Sequence, residues 1–172
     1  MRVVVKVIPN KRRSVLSCAA RGDTVNPMAI DLHAAATARL RADGQRYTTG
    51  RRALVAALAD SGQPVTIPQL LEQGSGLAQS SVYRNLSVLE RAAVVHRIVT
   101  ADDFARYELA EDLTEHHHHH LICATCGDVT DFTLSAGLEE ELEAAAVKVA
   151  RRTGFSVERH QLDLVGTCPT CR

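Results

Sequence analysis

Aromatic side chains are scarce in this chain. It has no tryptophan, and its three tyrosines and three phenylalanines make up 3% of 172 residues. Any core must therefore rest on Ala, Val and Leu. Long apolar runs are missing too. No stretch approaches the ~18 residues that cross a bilayer, so no membrane-spanning helix is expected. Met1 to Arg13 is basic with a short Val/Ile run, but lacks the apolar region and small-residue cleavage site of a secretory signal. The expected address is the cytoplasm. Net charge is also absent, since 20 Lys and Arg balance 20 Asp and Glu.

That balance conceals an asymmetry. Residues 1–97 carry 14 basic against 6 acidic side chains, and residues 98–172 carry 6 against 14. A basic half and an acidic half point to two domains, the first with a polyanionic partner. Without residues 1–27 the basic margin shrinks to 8 against 5. Charge alone thus also permits an ordinary solvated surface.

Residues 1–27 show no sustained period and end in Asp23-Thr24-Val25-Asn26-Pro27. They read as a flexible extension, or as chain upstream of a start at Met28. A helical pattern then runs from Ile30 to Leu40. Thr48-Thr49 caps a second helix through Leu58, stopped by Ser61-Gly62 and Pro64. Thr66 caps a third with Pro68 in its first turn, and Val82, Leu86 and Leu89 mark one face of a fourth over Leu77–Arg91. Short helices with tight turns predict a helix-turn-helix. The β-rich runs Val94–Val99 and Ala105–Leu109 would form its wing. Residues 28–110 are thus expected to be a winged-helix domain, followed by an acidic hinge at 111–115. Residues 116–172 then read as strand, strand, helix, strand: His116–Cys123, Asp128–Leu134, Leu138–Arg152 and Phe155–Val165. The fold class is α+β.

Cys123-Ala124-Thr125-Cys126 and Cys168-Pro169-Thr170-Cys171 form two C-x-x-C pairs. Two such turns can complete a tetrahedral, all-sulfur site, the donor set of structural Zn2+. Two disulfides or a thioredoxin-like pair are the competing readings. A cytosolic chain disfavours the first, and neither motif lies in a βαβ context that would support the second.

His116 to His120 are five consecutive histidines. On a strand, alternate side chains face opposite ways. His116, His118 and His120 would serve one face, and His117 and His119 the other, so one strand could supply two metal sites. Imidazole suits Zn, Ni and Fe, and His96, Glu108, Glu143 and His160 could complete the sets. For His96 or His160 taken alone, an ordinary hydrogen-bonded histidine is the simpler reading.

Three segments together resemble the ferric uptake regulator family: Ser80-Ser81-Val82-Tyr83-Arg84-Asn85-Leu86, Arg106-Tyr107-Glu108, and His116 through Gly127. Gly154-Phe155, His160 and Gly166 to Cys171 extend the likeness, which covers about residues 35–172. The resemblance implies a winged helix plus an α/β dimerisation domain, and a homodimer that binds palindromic double-stranded operators when a regulatory metal is bound. By motif, Ser80, Ser81, Tyr83 and Arg84 fall on the recognition helix, and Arg46 near the minor groove. Cys123, Cys126, Cys168 and Cys171 match the structural zinc ligands. His96, Glu108, His118 and His120 resemble the regulatory site, while His117, His119, Glu143 and His160 resemble a second site. The 17-residue step from Glu143 to His160 looks like the family's helix-to-strand spacing.

The chain also departs from the pattern. No histidine lies between Gly50 and Val95, where iron-type members place a ligand, and His96 looks like its substitute. The cysteine that zinc-type members carry near Ala110 is missing. The expected regulatory metal is Zn2+, ahead of Ni2+, Fe2+ or Mn2+, and a peroxide-sensing variant fits the same motifs. Among other classes, a zinc deaminase needs H-x-E with P-C-x-x-C, and a zincin needs H-E-x-x-H. Neither occurs, so no enzyme and no small organic substrate is expected. A metal buffer would use the histidines but would not need the helix-turn-helix.

Overall fold

The computed structural model describes residues 2–5, 31–74, 76–100, 104–114, 117–157 and 160–172. Part of the expected N-terminal extension is sheet: Arg2–Val5 form β1, paired antiparallel with a strand near the C-terminus. The remainder of the extension lies outside the described residues.

Helix α1 (Leu32–Ala42) starts where the Asp31 carboxylate accepts from the backbone N–H groups of His33 and Ala34. Helix α2 (Thr49–Ser61) is capped by the Thr48 hydroxyl and ends at Gly62, whose φ of 59° suits a residue without a Cβ. Strand β2 (Val65–Thr66) leads into α3 (Ile67–Glu72) through a capping box of Thr66 and Gln69. Helix α4 (Gln79–Arg91) follows, and then the hairpin of β3 (Val95–Val99) and β4 (Ala105–Leu109). The sheet order is β2-β4-β3. Leu40, Leu54, Val55, Leu70, Val82, Leu86, Leu89 and Val94 are fully buried between helices and sheet. Aliphatic side chains at helical spacing thus build the core, as the shortage of aromatics requires.

A single turn, α5 (Glu111–Thr114), ends this half. Its Leu113 is buried in the same core, and Asp112 pairs with Arg39 of α1 at 2.5 Å. Beyond it lie β5 (His119–Cys123), β6 (Val129–Phe132), α6 (Ala136–Thr153) and β7 (Leu162–Gly166). The second sheet has the order β1-β7-β5-β6. β5 and β6 form an antiparallel hairpin, and α6 is the crossover that makes β7 parallel to β5. The buried apolar cluster here is small: Ile122 and Val129 with Ile98, which β3 contributes from the other half.

Strand β7 is shorter than its alternating pattern predicts, because Phe155 to Val157, His160 and Gln161 do not enter the ladder. Gly154 ends α6 in the left-handed region, at φ 71°. Among the described residues, no helix is long and apolar enough to cross a membrane.

Candidate metal centres

The cysteine turns meet at one end of the second sheet. Cys123 closes β5, and its turn is held by Gly127 N–H to Cys123 O and Cys123 N–H to Asp128 O. Cys168 caps the 3-10 turn that follows β7, and Cys171 is its last residue. Cys123 lies opposite Gly166 in the parallel ladder, so the two turns arrive side by side. All four thiols are free, and the Cys126 and Cys168 sulfurs are 3.8 Å apart. A tetrahedron of sulfurs at the usual Zn–S distance of ~2.3 Å has edges of ~3.8 Å. The backbone N–H groups of Cys126, Cys168 and Thr125 hold the Cys123 thiol down to about 6, in the range of a thiolate ligand. The Cys171 thiol, held as a donor to the Cys126 and Cys168 sulfurs, is pushed up to about 12, so deprotonating the whole set calls for a cation among the sulfurs. The set fits structural zinc.

Alternation of the histidine run produces two further clusters. On one face, the Nε2 atoms of His118 and His120 lie 3.0 and 3.3 Å from Glu108 Oε2, and Asp131 is 4.0 and 3.9 Å from the same two nitrogens. The donor atoms of these four residues lie within 4.8 Å of one another. Asp131 faces His120 across the β5–β6 ladder, while Glu108 arrives from β4. Burial works to raise the Glu108 carboxyl, but hydrogen bonds from His118 and His120 outweigh it and hold it at about 2. Burial likewise works to lower His120, and its bonds to Asp163 and Glu108 outweigh that and raise it to about 10. Asp163 is itself buried, 3.1 Å from His120 Nδ1, and turns the ring so that Nε2 faces Glu108. That is the usual bracing of a ligating histidine by an outer carboxylate. Glu108 Oε1 is buried with no hydrogen-bond partner, the kind of lone pair a cation would take up.

On the opposite face, His117, His119 and His160 turn their Nε2 atoms to one carboxylate. His117 and His160 lie 3.0 and 2.7 Å from Glu139 Oε1, and His119 is 3.1 Å from Glu139 Oε2. The parallel register sets His120 opposite Asp163, and three residues back the same offset sets His117 beside His160. His117 Nε2 and His160 Nε2 are only 3.2 Å apart. Nitrogens converging this closely on one carboxylate fit a shared cation.

The acidic member of this cluster corrects the expectation from sequence. Glu143 is exposed and outside the group, and Glu139 takes its place. Helix α6 begins at Ala136, so its first turn lies over the start of β5. Glu143 is one turn, ~6 Å, further along the axis. His96 also stands apart from the tight group, because its Nδ1 is 3.9 Å from Glu108 Oε1, directly across the β3–β4 ladder. Asp131 and Asp163 escaped the sequence reading. A usable signal existed for Asp131, since the β5–β6 turn fixes which residue faces His120. His116 lies outside the described residues.

The expected DNA-contacting side chains lie together on the other half. Tyr83 and Arg84 project from α4, Tyr83 being 51% exposed, and Arg84 Nε donates to the Ser80 carbonyl. Ser80 is exposed and Ser81 half-buried beside them. Arg51, which the sequence reading did not single out, donates to the Arg46 carbonyl at 2.5 Å and to Asn85 Oδ1 at 3.3 Å. It ties the segment carrying Arg46 to α4.

The chain is 30% identical over 141 residues to the ferric uptake regulation protein of Neisseria meningitidis, spanning 69% of this chain and 92% of that one. It is 30% identical over 136 residues to the peroxide operon regulator of Bacillus subtilis, spanning 77% and 88%. The Helicobacter pylori ferric uptake regulator, a structure described as revealing three functional metal binding sites, superposes with a TM-score of 0.62 at 22% identity, covering 84% of this chain and 93% of that one. The model of the ferric uptake regulator family matches residues 42–165, and the chain belongs to that family of transcription regulators.

Proposed function

We propose that this protein is a metal-dependent transcriptional repressor that binds palindromic operator DNA as a homodimer when a regulatory divalent metal is bound. The observation that carries the reading is the reach of Glu108. It extends from β4, in the amino-terminal half, to His118 and His120, at and just before β5 in the other. A cation held by Glu108, His118, His120 and Asp131 ties the halves at one angle. With both protomers so set, the two α4 helices stand at a fixed separation for successive major grooves. The amino-terminal half acts as a winged helix, with Arg46, Ser80, Ser81, Tyr83 and Arg84 facing the duplex. His96 lies beside the regulatory centre, and His117, His119, Glu139 and His160 form a second one. Zinc in the four cysteines is structural.

Family members bind DNA as dimers. The exposed Leu138, Val147 and Val149 of α6 offer apolar surface for a second copy. For the switching metal, two imidazoles and two carboxylates hold Zn2+ more tightly than Fe2+ or Mn2+ in the Irving–Williams order, which favours zinc. Iron is the second reading, because the Neisseria meningitidis relative is a ferric uptake regulation protein.

The test is operator binding under metal control. A duplex selected from a random pool by zinc-loaded protein is titrated in buffered Zn2+, Fe2+, Ni2+ and Mn2+, beside a metal count per protomer. The switching metal should tighten binding at least tenfold over protein holding only the cysteine zinc. Arg84→Ala should cost about 1–3 kcal/mol on that duplex. Metal-independent affinity, or a single metal per protomer after loading, would overturn the repressor reading. Activation by Fe2+ but not Zn2+ would replace zinc with iron.

A further inference from the structure

Glu111 belongs to neither histidine cluster, yet it touches both histidines that precede β5. Its Oε2 is 2.8 Å from His117 Nδ1. Its Oε1 faces His118, 3.5 Å from the backbone N–H and 3.9 Å from Nδ1. The His117 ring is thus held at both nitrogens: Nδ1 at Glu111, Nε2 toward Glu139 and His160. An acceptor on Nδ1–H fixes the tautomer that leaves an Nε2 lone pair for a cation.

Glu111 also has a firm footing on the far side. It begins α5, whose Leu113 is buried in the amino-terminal core and whose Asp112 pairs with Arg39. The same arginine donates to the carbonyl of Ala93, just past α4. One carboxylate therefore joins the His117 cluster, through α5 and α1, to the end of α4.

Resting on the reading of the two histidine clusters as metal centres, we infer that Glu111 is a positioning residue. It orients His117 for metal and makes loading of the His117–His119–Glu139–His160 centre felt in α5, and through α5 in the DNA-binding half. That centre is otherwise built wholly from the dimerisation half. Among the described residues, Glu111 is the side chain that hydrogen-bonds this centre from the α5 side.

The test uses the full chain with its cysteine zinc retained and Co2+ as the probe of the histidine centres. Co2+ affinity is read from visible absorption against a competing chelator, and Glu139→Ala identifies the band of the His117 centre. Glu111→Ala should weaken that centre 10–100-fold, the usual effect of removing an outer carboxylate. Glu111→Gln keeps an oxygen that accepts from Nδ1–H and should recover most of the loss. In wild type, Co2+ at this centre should slow amide exchange in residues 111–114, and in Glu111→Ala that slowing should disappear.

Glu111→Ala within twofold of wild type in Co2+ affinity would overturn the inference while leaving the metal centres standing. Unchanged slowing in α5 would do the same. If Glu111→Ala loses its cysteine zinc and unfolds, Glu111→Gln decides: a loss of tenfold or more there also overturns it. A wild type that takes up no Co2+ at all would overturn both the inference and the metal-centre reading beneath it.

Discussion

Glu139 and Glu143 occupy the same side of α6 one turn apart, and only the first reaches the histidines. Spacing along the sequence could not choose between them, because the choice depends on where α6 begins relative to β5. The alternation of the histidine run needed no such knowledge, since strand geometry alone divides odd from even. Asp131 could have been placed by counting across the β5–β6 turn, whereas Asp163 depended on the β5–β7 register, which no residue pattern in β7 reveals. The expected consequence is a contrast. Glu139→Ala should lower metal affinity of the His117 centre at least tenfold, while Glu143→Ala should leave it within twofold, as read by chelator competition. A second consequence concerns protons. With the histidine centres free of metal, His120 is raised from an ordinary value near 6.5 to about 10. Its contribution to stability is complete below pH 6.5 and is lost as pH rises through 10. Urea midpoints of such protein should therefore fall from pH 6.5 to pH 10, and His120→Gln should flatten that slope. Equal slopes in both proteins would remove His120 as the cause.

The elements with side-chain caps were the most legible. Thr48 and Thr66 both cap the helices that follow them, and both accept the backbone N–H bonds that make a cap. The exit from α4 has no glycine or proline in Arg91-Ala92-Ala93-Val94 to mark it, yet the helix ends at Arg91. The chain turns there by placing Ala93 in the left-handed region, at φ 55°. Its carbonyl accepts from Arg39, and the Val94 N–H bonds back to Leu89 O. A Cβ in that conformation costs ~1–2 kcal/mol, while glycine adds ~0.4–1 kcal/mol of unfolded-state entropy. Ala93→Gly is thus expected to stabilise the amino-terminal half by up to about 1 kcal/mol and raise its melting temperature by a few degrees. A lower melting temperature would mean that the turn is held by contacts of the Ala93 methyl rather than strained by it.

At the scale of the molecule, the two halves are held by different physics. Eighteen buried apolar residues form the amino-terminal core. Among the described residues, the apolar cluster under the second sheet has three, one of them borrowed from β3. Burying an aliphatic side chain is worth ~1.5–3 kcal/mol, so three cannot offset the entropy of ordering β5 through the C-terminus. Zinc held by the four thiolates, as proposed, would contribute ~10–16 kcal/mol of folding free energy. The cysteine turns join β5 to β7 at one end, so that energy bears on the sheet that carries both histidine clusters. Stripping the zinc should therefore unfold the halves separately. Amide protection in β5, β6 and β7 should collapse, while α2 and α4 keep theirs, and a thermal melt should show two transitions in place of one. Cys168→Ser should reproduce the chelated state without a chelator, since three thiolates close the tetrahedron poorly. Because Glu108 and Leu113 stay with the amino-terminal half, the β3–β4 hairpin and α5 should remain protected after the second sheet is gone. Loss of protection in all of these together would show that the core around Leu54 and Leu86 also depends on the zinc, and that the chain folds as a single unit.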